Sequence, residues 1–510
     1  MGFSGGLTLA TAAYAETVDT SGLRALVNVE GILQHLQVFQ NIADEYGGNR
    51  ASGTPGYDQS AAYVFEQMVA AGYVVSVQPF EFPSFIVLHQ FFAQTSPIER
   101  VFVPFDFLVS TGDYYVMIYS GSGVVTDTEV VPTNDVIIPA PIEPNTSTSG
   151  CEAEDFFDAE GNSLVAGKVA LIQRGTCTFQ TKAENAEAAG AVAALIFNEG
   201  QVDLGRDGVV LGTLGEPGVS LPVLGISYYL GVELFEADTP RVSLDIQTLI
   251  EILSTVNVLA ETPGGRADRV VVVGAHLDSA NTGPGINDNG SGAATILEIA
   301  LQMAALDLEP SNRVRFAWWG AEEYGLLGSE HYVSHLAQPE LKDIALNLNF
   351  DMVGSPNYVR FVLDGDGSDT EIAGPMGSAA IEEVFLQYLA GQGLETEPGG
   401  LTGGSDYASF AEAGIPVGDL FTGAGNIKTE EEALIYGGIA GEPYDPCYHL
   451  ACDTIENING VVLDQMGDAA AHAVLTFAMT TSLTKGEDKA SERVLEEAAK
   501  MEFRGPYLRK

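Results

Sequence analysis

The sequence predicts an α/β protein with a mixed, largely parallel sheet flanked by helices and interrupted by a smaller β-rich insert. Three observations carry that prediction. The first is the stretch 270–298, VVVVGAHLDSANTGPGINDNGSGAATILE, where four consecutive valines read as a strand buried on both faces. The run breaks at Gly274, a loop rich in Gly, Asn and Pro follows, and 293–306 carries apolar residues at helical spacing. The second is recurrence, because RVRFAWW at 313–319 and IALNLNF at 344–350 are further strand-like runs that also end in acidic residues. The third is a change of texture over 113–248, where short strands, glycine turns and brief helices take over.

The individual elements follow in chain order. Residues 22–47 place Leu33, Leu36, Phe39 and Ile42 on one helical face and end at paired glycines. A second helix fits 56–72, a strand fits 73–82, and the aromatic stretch 82–112 reads as edge strands. After the insert, STVNVLAET at 254–262 returns to strand character. Removing the insert joins 22–112 to 249–485 as one discontinuous unit, which we expect to be catalytic. Residues 486–510 form a charged tail ending in RGPYLRK, to which we assign no chemistry.

Size and charge bound the partners. A chain of 510 residues is longer than a single core usually grows, so two domains are expected. A hydrophobic content of 46% with 18% charged residues indicates a folded globular protein. The 22 basic against 70 acidic residues give a net charge of −48. That balance argues against a nucleic-acid partner and for high solubility, and it suits a salt-rich medium as well as an ordinary acidic secreted protein. It also favours positively charged substrates. No apolar run is long enough to cross a bilayer, so we expect no membrane span.

Export is the expected fate. The first fifteen residues, MGFSGGLTLATAAYA, end in a signal-peptidase-like Ala-Tyr-Ala, although no Lys or Arg precedes it. We set 1–21 aside as a leader or disordered N-terminus. The GFSGG within it matches a nucleophile elbow in letters only, since no strand precedes it. The four cysteines fall in two close pairs, Cys151 with Cys177 and Cys447 with Cys452, which suits disulfides in an oxidising compartment.

The strand ends carry the chemistry. His276 and Asp278 follow the valine run, Asp288 sits in the loop beyond, Glu322 and Glu323 follow RVRFAWW, and Asp351 follows IALNLNF. DPCYHLACD places His449 in a small loop between two cysteines. Parallel strands of one sheet bring their C-terminal ends together along one edge. Carboxylates gathered there repel unless a cation joins them. Two imidazoles with mixed carboxylates favour zinc over calcium or magnesium. Five ligands are too many for one tetrahedral zinc and enough for two ions, roughly 3.5–4 Å apart, that share a carboxylate. His331 and His335 stand four apart without the glutamate of an HExxH motif, so we read them as surface or packing residues.

Two resemblances extend this reading. KVALIQRGTCTFQTKAENAEAAGAVAALIFNEG, at 168–200, resembles the protease-associated domain, which implies a Cys151–Cys177 bridge and a lid or substrate-positioning role without a catalytic group. HLDS, GINDNGSG, WWGAEEYGLLGS, LNFDMVGSPN and DPCYHLACDT resemble the secreted di-zinc aminopeptidases of the bacterial leucyl aminopeptidase and aminopeptidase Y family, peptidase clan MH.

The second resemblance implies the zinc exopeptidase fold, with one zinc on His276 and Asp351, the other on Glu323 and His449, and Asp288 bridging both. It implies that Asp278 accepts the other ring N–H of His276 and that Glu322 is the general base for a metal-bridging water. The Tyr448 hydroxyl would stabilise the oxyanion, and Glu322 and Asp351 would bind the free amine of a leucine-like N-terminal residue. Some secreted relatives carry an arginine where this chain has Gly404, just before Ser405 and Asp406, which leaves any contact of that arginine unfilled. Some also hold calcium on a pair like Asp464 and Asp468, although helix-face solvation is the commoner reason for that spacing. The resemblance implies peptide substrates with a free N-terminus, and we expect a monomer. The alternatives are a zinc carboxypeptidase or a glutaminyl cyclase on the same scaffold, or a non-catalytic binding protein.

Overall fold

Four parallel strands form the centre of the main sheet in the computed structural model, which describes residues 18–106, 111–370, 372–480 and 501–510. In spatial order they are Asn312–Trp319, Arg266–His276, Ile344–Phe350 and Val417–Phe421. The leader motif and residues 486–500 lie outside the described residues.

The valine run occupies the middle of this sheet. Val271 and Val273 pack into one apolar cluster with Leu36, Ile296 and Met466, while Val270 and Val272 pack into another with Tyr332, Phe410 and Ile415. A strand covered on both faces has no solvated side, so apolar residues run without alternation. Each fully buried valine contributes about 1.5–3 kcal/mol.

Helices Val29–Glu45, Gly292–Ala305 and Gly460–Met479 cover the first face. In the first of these, Ile32, Leu36, Phe39 and Ala43 are buried, so the apolar stripe foreseen over 22–47 faces the core. Its start is set by Asn28, whose side chain accepts from the Gly31 N–H, and Asn459 caps the third helix by accepting from Val461 and Val462. The fold begins before residue 22, because Thr20 is buried with its hydroxyl 2.8 Å from His472 Nδ1.

The aromatic stretch behaves differently from the edge strands expected. Val74–Ser96 is one long strand, paired antiparallel with Arg241–Glu261 from Val74↔Glu261 to Ser96↔Arg241. At one end this ribbon joins the main sheet through Val258 and Trp318. At the other it joins the insert, where 241–246 pairs with Gly123–Pro132. The same strand therefore serves two cores: Phe80 and Phe82 pack near Ala321, whereas Phe92 lies in the core of the insert. That switch hides its period from a local reading. The expected boundary between residues 248 and 249 falls inside the Arg241–Glu261 strand, so the chain passes between the two units without a break.

In the insert, Gly123–Pro132, Val169–Gln173, Ala193–Phe197 and Val223–Ile226 pair in parallel, with Tyr114–Val116 antiparallel at the edge. The Cys151–Cys177 disulfide forms there, with Cα atoms 5.7 Å apart.

Candidate metal centre

Three neighbouring strands deliver the acidic and imidazole groups to one edge. His276 ends its strand opposite Trp319, Asp351 directly follows Phe350, and Glu322 and Glu323 follow Trp319 after a turn in which Ala321 has a φ of 55°. Asp288 comes from the loop before the Gly292–Ala305 helix, where its peptide bond to Asn289 is cis. His449 comes from a loop closed by the Cys447–Cys452 disulfide.

These groups meet in space. His276 Nε2 lies 3.3 Å from Asp288 Oδ1 and 3.3 Å from Asp351 Oδ1, while His449 Nε2 lies 3.2 Å from Asp288 Oδ2 and 3.1 Å from Glu323 Oε2. Asp288 thus turns one oxygen to each imidazole. Two triads result, His276–Asp288–Asp351 and Asp288–Glu323–His449, and within each the donor atoms lie within 4.8 Å of one another.

The residues fit metal ions. Glu323 Oε1 and Asp351 Oδ1 are buried with no hydrogen-bond donor, a costly state that a cation relieves. Burial works against a charged His449, yet Glu323 and Asp288 override it and push its pKa up to about 10. The cluster therefore draws positive charge even into its own imidazoles. The mixed imidazole and carboxylate set suits a borderline ion such as zinc.

Glu322 belongs to neither triad. Its Oε2 stands 3.9 Å from His276 Nε2, and burial, together with repulsion from Asp406 and Asp351, raises its pKa well above the usual carboxylate range. Tyr448 stacks on His449 with ring centroids 3.8 Å apart. Burial and the surrounding carboxylates hold its hydroxyl protonated, so it can act as a donor.

Asp278 departs from expectation. The His276 Nδ1 is 3.1 Å from the main-chain oxygen of Asp278, while the carboxylate Oδ1 stands off at 3.7 Å. That Oδ1 accepts the Glu322 N–H at 3.3 Å. The tautomer of His276 is thus set by a carbonyl, and the Asp278 carboxylate steadies the turn that carries Glu322.

The pair expected for calcium has protein partners. On the Gly460–Met479 helix, Asp464 accepts the Val29 N–H at 3.2 Å and Asp468 accepts the Tyr388 hydroxyl at 3.4 Å, so each takes a partner from a neighbouring helix. Neither belongs to a metal-capable group among the described residues. A third acidic group, Asp364, Asp366 and Glu382, closes a turn instead, since Asp364 accepts the N–H groups of Gly367, Ser368, Asp369 and Thr370.

Supporting residues escaped the sequence reading. Arg50 is fully buried and donates to the carbonyls of Leu277, Pro284 and Gly285 at 2.5, 2.9 and 2.5 Å, fixing both ends of the 277–285 loop. Asp453 accepts the N–H groups of Asn287 and Asp288 at 2.9 and 3.0 Å. Ser405 donates to Asp351 Oδ2 at 2.6 Å. Asp453 closes the DPCYHLACD motif and Ser405 belongs to the Ser-Asp pair after Gly404, so both had a usable signal; Arg50 carries none. Gly404 lines a cavity of about 580 Å³ beside the centre, together with Asp351, Leu363, Asp419, Phe421 and Tyr448.

Comparison with known proteins agrees with this geometry. Peptidase family M28 matches residues 257–474 and the PA domain matches residues 131–234. An aminopeptidase of Pseudomonas aeruginosa is 45% identical over 473 residues, covering 92% of this chain and 84% of that protein. Leucine aminopeptidase 2 of Trichophyton equinum is 40% identical over 370 residues, 71% of each. Among solved structures, an aminopeptidase from Aneurinibacillus sp. strain AM-1 has the same fold, with a TM-score of 0.69 at 24% identity over 92% of this chain and 98% of that one. A zinc aminopeptidase from Bacillus subtilis follows at 0.56 and 25%, with the same coverage. Fold and kinship together define a metallo-exopeptidase with an inserted PA domain. More narrowly, the chain belongs to peptidase family M28.

Proposed function

We propose that the protein is a zinc-dependent aminopeptidase that removes an apolar, leucine-like residue from the free N-terminus of peptides. One observation carries the reading: the two oxygens of Asp288 face two separate imidazoles, while Glu322 stays outside both triads. The names of the Trichophyton and Bacillus relatives support the leucine preference and the metal.

His276 and Asp351 would hold one zinc, Glu323 and His449 the other, with Asp288 shared. Bound there, the ions would supply Lewis acidity, making water a better nucleophile and polarising the scissile carbonyl. Glu322, outside both triads, takes the proton of the attacking water and passes it to the leaving amine. The Tyr448 hydroxyl donates to the developing oxyanion. Glu322 and Asp351 receive the substrate ammonium, with the side chain in the neighbouring cavity. A carboxypeptidase would need an arginine for the substrate carboxylate, and Arg50 is already committed to three carbonyls.

Leucyl- and lysyl-anilides should be cleaved and N-acetyl-leucyl-anilide spared, with loss on chelation and recovery on adding zinc. Metal analysis should return two zinc ions per chain; a single ion would favour the cyclase alternative. Glu322→Ala should remove turnover by about 10²–10⁴-fold while zinc content stays unchanged, and loss of metal would show that Glu322 is a ligand. We further take the protein to be monomeric and exported, and the two disulfides support export. Fractionation and sedimentation test both.

A further inference from the structure

The last ten residues, expected to carry no chemistry, lie across the mouth of the metal centre. Phe503–Arg504 and Tyr507–Leu508 pair as a small hairpin whose turn is Gly505–Pro506. That turn sits against the base: a side chain on Gly505 would come within 3.0 Å of Glu322 Oε1, and the residue has a φ of 58°. Tyr507 donates its hydroxyl to the Glu323 main-chain oxygen at 3.2 Å. Phe503, Gly505 and Pro506 form part of the wall of the 580 Å³ cavity, so the space left for a side chain is bounded by the tail itself.

The hairpin is stitched to both units. On the catalytic side, the N–H groups of Phe503 and Gly505 donate to Thr402 and Gly403, Arg504 pairs with Glu330, and Met501 is 1% exposed in the core cluster of Tyr407 and Phe410. On the PA side, Thr213 and Phe179 donate their N–H groups to Leu508 and Arg509 at 2.8 and 2.9 Å. The buried Arg174 and Arg206 both pair with Glu502, and Asn145 donates to it at 2.6 Å. A carboxylate held by two buried guanidiniums is a built site, since neither arginine can turn to water instead.

The tail is placed as a blocker and cannot be a substrate. It presents a turn to the base, so no free amine approaches the carboxylates. Within a chain of net charge −48, these ten residues carry Arg504, Arg509 and Lys510 against one acid, so the field of the body adds to the local contacts.

We propose that the groove between the catalytic unit and the PA insert is the docking surface for the chain's own residues 501–510, and that this segment keeps the enzyme latent by covering Glu322. The PA insert is thereby a jaw, with Arg174 and Arg206 as its grip. The proposal rests on the aminopeptidase reading for its activity readout and on the docked geometry for the rest.

The test compares the zinc-loaded full chain with a form ending at Thr480, using leucyl-anilide. A tethered segment has a millimolar effective concentration, so one that binds in trans at about 10 μM should lower kcat/KM about 100-fold in cis. The N-acetylated peptide MEFRGPYLRK should inhibit the shortened form competitively, and its Glu502→Lys version about tenfold more weakly. In the full chain, Glu502→Lys should raise the basal rate, and so should added salt.

Equal kcat/KM for the two forms would overturn the proposal, as would failure of a labelled peptide to bind the shortened form. If the shortened form does not fold, the full-length Glu502→Lys variant decides, and an unchanged rate overturns the proposal. If neither form cleaves any free-amine anilide while the peptide still binds, the aminopeptidase reading falls and the docking surface stands.

Discussion

Replacing Arg50 should unsettle the metal centre without touching a ligand. Its guanidinium is buried, donates to three loop carbonyls and stacks over the Phe39 ring at 5.0 Å. Methionine of similar length fills most of the space, so the cost arises from the carbonyls left without donors. At about 1–3 kcal/mol for each unpaired buried group, three give about 3–9 kcal/mol. That is a large share of the roughly 5–15 kcal/mol by which domains are stable. Burial lowers the pKa of Arg50 to about 10 against the opposing pull of Asp278 and Asp453, so the residue remains charged at neutral pH and its loss also strips a cation from the carboxylates.

The assay is urea unfolding followed by tryptophan fluorescence. The only two tryptophans, Trp318 and Trp319, are both buried in the main sheet, so the signal reads the catalytic unit and not the insert. Arg50→Met should shift the transition strongly and weaken zinc binding, while Arg50→Lys, which keeps the charge but loses the planar fork, should fall between. A midpoint for Arg50→Met within about 0.5 kcal/mol of the parent, the range of an ordinary surface change, would refute the assignment.

Two further outcomes are expected. Ser405→Ala removes the 2.6 Å donor to Asp351 and should weaken zinc about 10- to 100-fold, as measured by chelator competition, with turnover of the saturated enzyme little changed. His472, whose pKa is lowered to about 4 by burial and then by Arg24, is neutral in the folded state and must charge as acid unfolds it. Its contribution is intact above the ordinary histidine pKa near 6.5 and is lost as pH falls from there toward 4. Melting between pH 7 and 4.5 should therefore drop further in the parent than in His472→Gln.

Four of the residues gathered at the candidate centre were legible from where they stand along the chain. His276 and Asp351 end or follow runs of buried residues, and Glu322 and Glu323 follow another, so local pattern alone puts them at strand ends. The long ribbon was harder to read, because residues 74–96 and 241–261 change from one core to another along their length and no single period describes them. Asp278 shows a finer limit: its position two beyond the histidine was plain, yet whether its carboxylate or its carbonyl met Nδ1 depended on the path of the loop. Asp464 and Asp468 share a face once the segment is helical, and only the packing of the fold shows that neighbouring helices supply each with a partner.

What the amino-acid order determined by itself was therefore the set of strands, the donors at their ends and the kind of chemistry those donors suit, since all of these depend on neighbours a few residues away. Tertiary structure alone decided that Arg50 braces the 277–285 loop, that Ser405 meets Asp351 and Asp453 the Asp288 N–H, and that Gly505 lies against Glu322. Those contacts join positions tens to hundreds apart, and Arg174 with Glu502 is the plainest case. A chain's local pattern records which surfaces must be buried; which surface buries them is settled only when burial, charge pairing and hydrogen bonding are satisfied together in three dimensions.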